Sequence, residues 1–216
     1  MIEKPSSAKP PAGGQRSERW RKRHDTIIDI ARSSFFEKGY AGTSMSTIAA
    51  QLGGSKTTLW SHFPCKDELF TAVLEDLITR FGPRDRLDPT GDMRAELTRY
   101  CAGFLNILLS PQILALHRLI IAEAPRFPEL GRIFYERAPR RRYLHLGDYF
   151  QLKMNEGVLR PADSFVAARH LLHLCQSGVF FLRLWEMVPD PSPEEVMADV
   201  ETGVEAFLNG YCHERA

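Results

Sequence analysis

An all-α fold follows from three features of this 216-residue sequence. Apolar residues recur every three or four positions, the segments that carry them are punctuated by Pro and Gly, and no strictly alternating stretch is bounded by hairpin turns. Residues 1–17, rich in Pro, Ser, Gly and Lys, read as a disordered basic arm. From residue 17 Ile27, Ala31 and Phe35 recur every fourth position and Ile28 widens the stripe, predicting a helix that stops at Gly39. Ser44 is the expected N-cap of a short helix over 45–52, Gly53-Gly54 a turn, and Ser55 the cap of a second short helix reaching His62. Pro64 ends that helix, and a longer one is expected over 66–81. Further helices are expected over 93–109, 112–123, 128–156 (with a break at Pro139), 162–185 and 193–212. No internal repeat is evident.

The composition, 44% hydrophobic and 25% charged, is that of an ordinary globular chain. No apolar run approaches the ~18 residues of a membrane helix, so no membrane partner is expected. The first residues contain no apolar signal segment, and Cys65, Cys101, Cys175 and Cys212 lack metal-type spacing. Reduced thiols and a cytoplasmic location are expected, with no cofactor. The net charge of +1 is unevenly placed: residues 1–66 carry +6 and residues 67–216 carry −5. A basic front suggests a polyanionic partner, although a solvated tail explains part of it.

The segment SMSTIAAQLGGSKTTLWSHF, residues 44–63, has the form of a helix-turn-helix. Ile48, Ala49, Leu52, Leu59 and Phe63 are placed for the core. Ser55, Lys56, Thr57, Thr58, Ser61 and His62 are placed on the outward face of the second helix, where small hydroxyls and a cation suit base edges and phosphates. Taken singly, each of these polar residues reads equally well as solvated.

The longer segment RHDTIIDIARSSFFEKGYAGTSMSTIAAQLGGSKTTLWSHFPCKDELFTAVL resembles the N-terminal signature of the TetR (tetracycline-repressor) family, with Phe35, Gly39-Tyr40, Thr43, Ile48-Ala49, Gly53, Ser55-Lys56, Leu59, His62-Phe63, Lys66 and Leu69 in register. The resemblance implies a three-helix DNA-binding domain over 18–66 and an effector-binding and dimerisation domain over 67–216. It implies that Thr43 and Ser44 hold phosphates and that Ser55, Lys56, Thr57 and Thr58 lie at the groove. Trp60 would contact phosphate and sugar, His62 the DNA backbone, and Lys66 a phosphate beside a positive helix N-terminus. For Trp60 a partly buried ring is the other reading. Gly54, Thr57 and Cys65 depart from the family's usual small apolar residue, Gly and Ser-like cap.

RLIIAEAPRFPELGRIFYERAPRRR, residues 118–142, resembles the C-terminal domain of AefR-type members. This implies a pocket between central helices, for which Phe104, Leu108, His117, Ile121, Phe134, Tyr143, His170, His173 and Leu174 are the candidate lining. The family also implies a homodimer formed by the last two long helices. Gly178, Phe181 and Trp185, with the stripe Val196, Val200, Val204, Phe207 and Tyr211, are the candidate interface, an intramolecular core being the alternative for the stripe. Gly203 would permit a close helix approach. His170 and His173 have a metal-compatible i, i+3 spacing but no third ligand, so no metal is expected. Arg140-Arg141-Arg142 reads as a solvated face paired to Glu136, with an anionic effector or DNA as the other reading.

No Gly-rich phosphate loop, nucleophile elbow or metalloprotease helix is present, so no enzyme is expected. A DNA-packaging protein would not need the large apolar second half. The expected function is a ligand-responsive regulator, a repressor by family, that binds operator duplex as a homodimer and is released by a small apolar or aromatic effector.

Overall fold

The computed structural model describes residues 14–53, 56–81 and 86–212. Among these lie eleven helices: α1 Gly14–Gly42, α2 Met45–Gln51, α3 Lys56–His62, α4 Lys66–Phe81, α5 Met93–Leu109, α6 Pro111–Glu123, α7 Pro128–Arg137, α8 Pro139–Asn155, α9 Ser164–Cys175, α10 Val179–Leu184 and α11 Pro193–Tyr211. The described residues contain no strand beyond an isolated antiparallel bridge between Leu159 and Cys212. They form two compact units. The first runs through Arg80 and takes in Arg118–Phe134; the second comprises Phe81–His117 and Tyr135–Ala216.

In the first unit the predicted stripe faces inward: Ile27, Ala31 and Phe35 are fully buried. Helix α1 starts at Gly14, so residues 14–17 are helical rather than part of a disordered arm; residues 1–13 lie outside the described residues. The helical path breaks at Gly39, whose φ of 74° and ψ of 170° suit a residue without Cβ. An added Cβ would also lie 2.6 Å from Glu123 Oε1, the atom that accepts the Ala41 amide at 3.1 Å. Ser44 caps α2 by accepting the Thr47 amide at 3.1 Å, and Gly53 makes the turn with φ of 63°. Helix α4 groups with this unit, whereas the resemblance implied a boundary after residue 66. Leu69, Phe70, Val73, Leu74 and Leu77 are buried, and the Phe70 ring meets Phe35 and Tyr40 edge-on at 5.6 and 5.7 Å.

In the second unit α11 packs on α9 and α5, and α8 on α9. Asp92 and Asp163 cap α5 and α9, and Ser192 with Glu195 forms a capping box on α11. The helix expected over 162–185 is two helices, separated by a turn through Gln176 and by Gly178, which has φ of −111° and ψ of −106°. The Asp199 carboxylate accepts the Val179 amide there at 2.6 Å and occupies the space a Gly178 side chain would need. The break at Pro139 falls as expected and separates α7 from α8.

Candidate DNA interface and effector site

The outward face of the α2–turn–α3 motif carries Thr57, Ser61 and Trp60, all exposed, with Thr58 half-buried. Trp60 is 40% exposed, a large apolar ring left open to solvent, while its neighbour Leu59 is fully buried. Lys56 opens α3; Ser55 and Gly54 lie outside the described residues. Ser44 is exposed at the start of α2, although its Oγ already serves as the cap.

Three residues expected at DNA point elsewhere. Thr43 is 1% exposed, and its hydroxyl lies 2.9 Å from the carbonyls of both Ser34 and Gly39, so it closes the α1–α2 corner from inside. His62 is 3% exposed and packs its ring 4.5 Å from Trp20. Its Nδ1 lies 3.4 Å from Nδ1 of His24, which stacks between Trp20 and Phe63. Desolvation lowers the pKa of both imidazoles; Asp25 opposes the shift at His24, while the proximity of His24 and then Arg23 adds to it at His62. Trp20 and His24, one turn apart on α1, were not singled out in the sequence, although their i, i+4 spacing carried the signal.

Lys66 is the third. Its Nζ donates to the carbonyls of Tyr40 at 2.8 Å and Thr43 at 3.0 Å and sits 4.0 Å over the Tyr40 ring. The Tyr40 hydroxyl in turn donates to Asp67. Burial lowers the lysine's pKa, opposed by Asp67 and Glu123. An ammonium has three N–H groups, and two of these are spent on the corner from which α2 starts. Lys66→Ala is therefore expected to destabilise the N-terminal unit by about 2 kcal/mol, the cost of exposing or orphaning carbonyls that had a charged donor. The salt dependence of DNA binding should stay unchanged. A variant of unaltered stability whose salt slope falls by about 0.9 would assign Lys66 to a phosphate instead. Denaturant melts together with salt titrations decide between the two.

The nine effector candidates do not share one surrounding. Phe104, Leu108 and Tyr143 are buried in the second unit. His117 meets Phe180 edge-on at 5.4 Å in the same unit, and burial lowers its pKa to about 4. Ile121, 62% exposed, and Phe134 fall in the first unit, whereas the other seven candidates fall in the second. His170 and His173 are exposed. The first pairs its Nδ1 with the Tyr211 hydroxyl at 2.7 Å, and the second has its Nδ1 2.7 Å from the Arg169 carbonyl. Leu174 is 37% exposed. Among the described residues no three potential ligands gather for a metal. A cleft of about 480 Å³, lined by residues including Asp92, Arg94, Lys153 and Asn209, contains none of the nine.

The dimer candidates divide in the same way. Val196, Val200, Val204, Phe207 and Tyr211 are at most 8% exposed within the single chain, where Phe207 stacks between Phe150 and Tyr211 at 4.8 and 4.5 Å. The α11 stripe is thus the chain's own core, because α9 and α5 cover it. Trp185 remains open at 63%, Phe181 and Gly178 are half-buried, and Met187 and Met197 add exposed apolar surface that the sequence reading did not select.

Two short helices about a glycine turn, with a polar outward face on the second, define a helix-turn-helix DNA-binding protein. Residues 27–73 match the bacterial regulatory proteins of the tetR family, and residues 95–213 match the C-terminal domain of AefR-like transcriptional repressors. The chain belongs to the TetR family. It is a transcriptional regulator, not an enzyme. The transcriptional activator FasR of Mycolicibacterium smegmatis is 30% identical over 111 residues, a match spanning 50% of this chain and 51% of FasR. A TetR-family regulator from Mesorhizobium loti MAFF303099 is 30% identical in sequence, with a TM-score of 0.72 over 90% of this chain and 98% of its own. The flavonoid-responsive regulator FrrA is 27% identical, with a TM-score of 0.81 over 91% of this chain and 100% of its own. No single helix among the described residues is long and apolar enough to cross a membrane.

Proposed function

We propose that the chain represses transcription by binding operator duplex as a homodimer, and that a small apolar or aromatic molecule bound in the second unit lowers its operator affinity. The observation that carries the DNA half is the exposed face of α3, with Thr57, Ser61 and a 40% exposed Trp60 above a fully buried Leu59. Repression is supported by the match to AefR-like repressors over residues 95–213, and an aromatic effector by the likeness to a flavonoid-responsive regulator. Activation is the second reading, favoured by the match to FasR. DNA contacts are assigned to Ser44, Ser55, Lys56, Thr57, Thr58 and Trp60. The dimer face is assigned to the exposed apolar surface of Trp185, Met187 and Met197 rather than to the buried α11 stripe. Release is a linkage: an effector lowers operator affinity only by preferring a conformation that binds DNA less well, a coupling of about 1–3 kcal/mol.

The α3 face makes a testable distinction. Trp60→Ala should cost about 1 kcal/mol of affinity equally across operator variants, because phosphate and sugar contacts position without reading sequence. Thr57→Ala should instead change the ranking of operator variants, since a side chain at a base edge discriminates by about 1–3 kcal/mol. Anisotropy titrations against a set of single-base operator variants measure both. Unchanged affinity and ranking in both variants would remove α3 from the groove.

A further inference from the structure

Of the three consecutive arginines at the start of α8, Arg140 reaches Glu136 at 3.7 Å and Arg141 is exposed. Arg142, half-buried as a whole, turns its guanidinium inward. Its guanidinium lies 4.6 Å over the Phe104 ring, and its Nη1 is buried without a hydrogen-bond partner. Tyr100, one turn before Phe104 on α5, is 2% exposed, and its hydroxyl is likewise buried without a partner. The two side chains are polar neighbours that feel each other's charge and come near hydrogen-bonding without a bond of full geometry, and burial opposes the ionised form of both. The other groups that bear on Arg142 are Cys101 and Tyr143; no carboxylate is among them.

This arrangement is costly for a ligand-free fold. A guanidinium cannot shed its proton, and a buried charge is normally paired. Two buried polar atoms without partners of full hydrogen-bond geometry, one of them on a planar fork, match a planar anion that accepts two hydrogen bonds. The neighbouring inward side chains of α5, Cys101, Phe104, Leu105 and Leu108, are all buried and offer little to a second polar group.

We infer that Arg142 and Tyr100 form the head-group site for a carboxylate effector whose apolar or aromatic body lies against the inner face of α5. This rests on the sensor reading above and narrows its ligand class from apolar molecules in general to organic monoacids. The guanidinium holds the carboxylate, and the Tyr100 hydroxyl donates to one of its oxygens. Phe104, under the guanidinium plane, keeps the fork oriented and water out.

The test uses the full chain and three matched pairs: benzoate with benzamide, cinnamate with cinnamamide, and octanoate with octanamide. At least one acid should raise the melting temperature while its amide does not. Its affinity should fall about 10- to 100-fold in Arg142→Met and about 2- to 10-fold in Tyr100→Phe, as expected for losing a charged and a neutral hydrogen bond. Ligand-free Arg142→Met should melt at or above the unsubstituted chain, because an apolar isostere relieves an uncompensated buried charge. Failure of all three acids to bind, equal binding of acid and amide, undiminished binding by Arg142→Met, or a ligand-free Arg142→Met that melts well below the parent would each overturn the site. The sensor reading fails separately. An acid that binds through Arg142 yet leaves operator affinity unchanged supports the site and refutes the sensor, whereas an amide that releases DNA as well as its acid supports the sensor and refutes the site.

Discussion

Gly203→Val is expected to cost the C-terminal unit about 3 kcal/mol or more, at the upper end of overpacking effects. A Cβ at this position would lie 2.7 Å from both the Cys175 amide nitrogen and its Sγ, and 2.9 Å from its Cα. Two of those three atoms are backbone, so the neighbour cannot yield by changing rotamer, and α11 would have to move off α9. Gly203→Ala should cost less, because removing a mid-helix glycine returns about 1 kcal/mol of helix propensity against the same collision. Gly210, near the end of the same helix and with open space around its Cα, is the control: Gly210→Ala should be neutral or stabilising. Urea melts of the three variants measure the series. Equal stabilities for Gly203→Val and the parent would mean that α9 and α11 are not in such close approach.

The second large effect is acid sensitivity. His117 is held neutral by burial, with its pKa lowered from 6.5 to about 4. The unfolded chain therefore binds this proton more readily than the folded one. The stability that follows is fully present above about pH 6.5 and is lost as the pH falls from there toward about 4. Across that window the loss amounts to about 3 kcal/mol at roughly 1.4 kcal/mol per pH unit. His24 and His62 in the first unit shift in the same direction. The comparison is thus between the parent and His117→Leu: the variant's stability should fall less steeply on acidification by about one proton's worth of slope. Identical pH profiles would show that His117 is charged in the fold or that its protonation is accommodated.

How much of this was legible in the sequence depended on how local the physics was. The Ile27–Ala31–Phe35 face, the Ser44 cap, the stop at Gly39 and the break at Pro139 are each encoded within a few residues, and each stands where periodicity and capping placed it. The stripe from Val196 to Tyr211 was equally visible, but an apolar stripe does not say whether its own chain or a second copy covers it. Here α9 and α5 of the same chain do. Lys66 and Thr43 sit where the family places phosphate contacts. What binds them, the carbonyls of Tyr40, Thr43, Ser34 and Gly39, becomes visible only once the chain has turned back on itself. The same holds for Arg142, indistinguishable in sequence from Arg140 and Arg141 until α8 has a defined inner face. Assignment of Arg118–Phe134 to the first unit depends on contacts such as that of Glu123 with the Ala41 amide, 82 residues away.

Selection of bound sites from random duplexes tests the central claim most directly. The full chain should enrich an inverted repeat whose half-site centres lie one helical turn apart, about 34–36 Å, or a multiple of that, with an even number of chains bound per duplex. The selected duplex should bind at least about a thousandfold more tightly than random DNA at physiological salt. Recovery of no common sequence, or equal affinity for selected and random duplexes, would contradict operator recognition through α3 and with it the regulatory account.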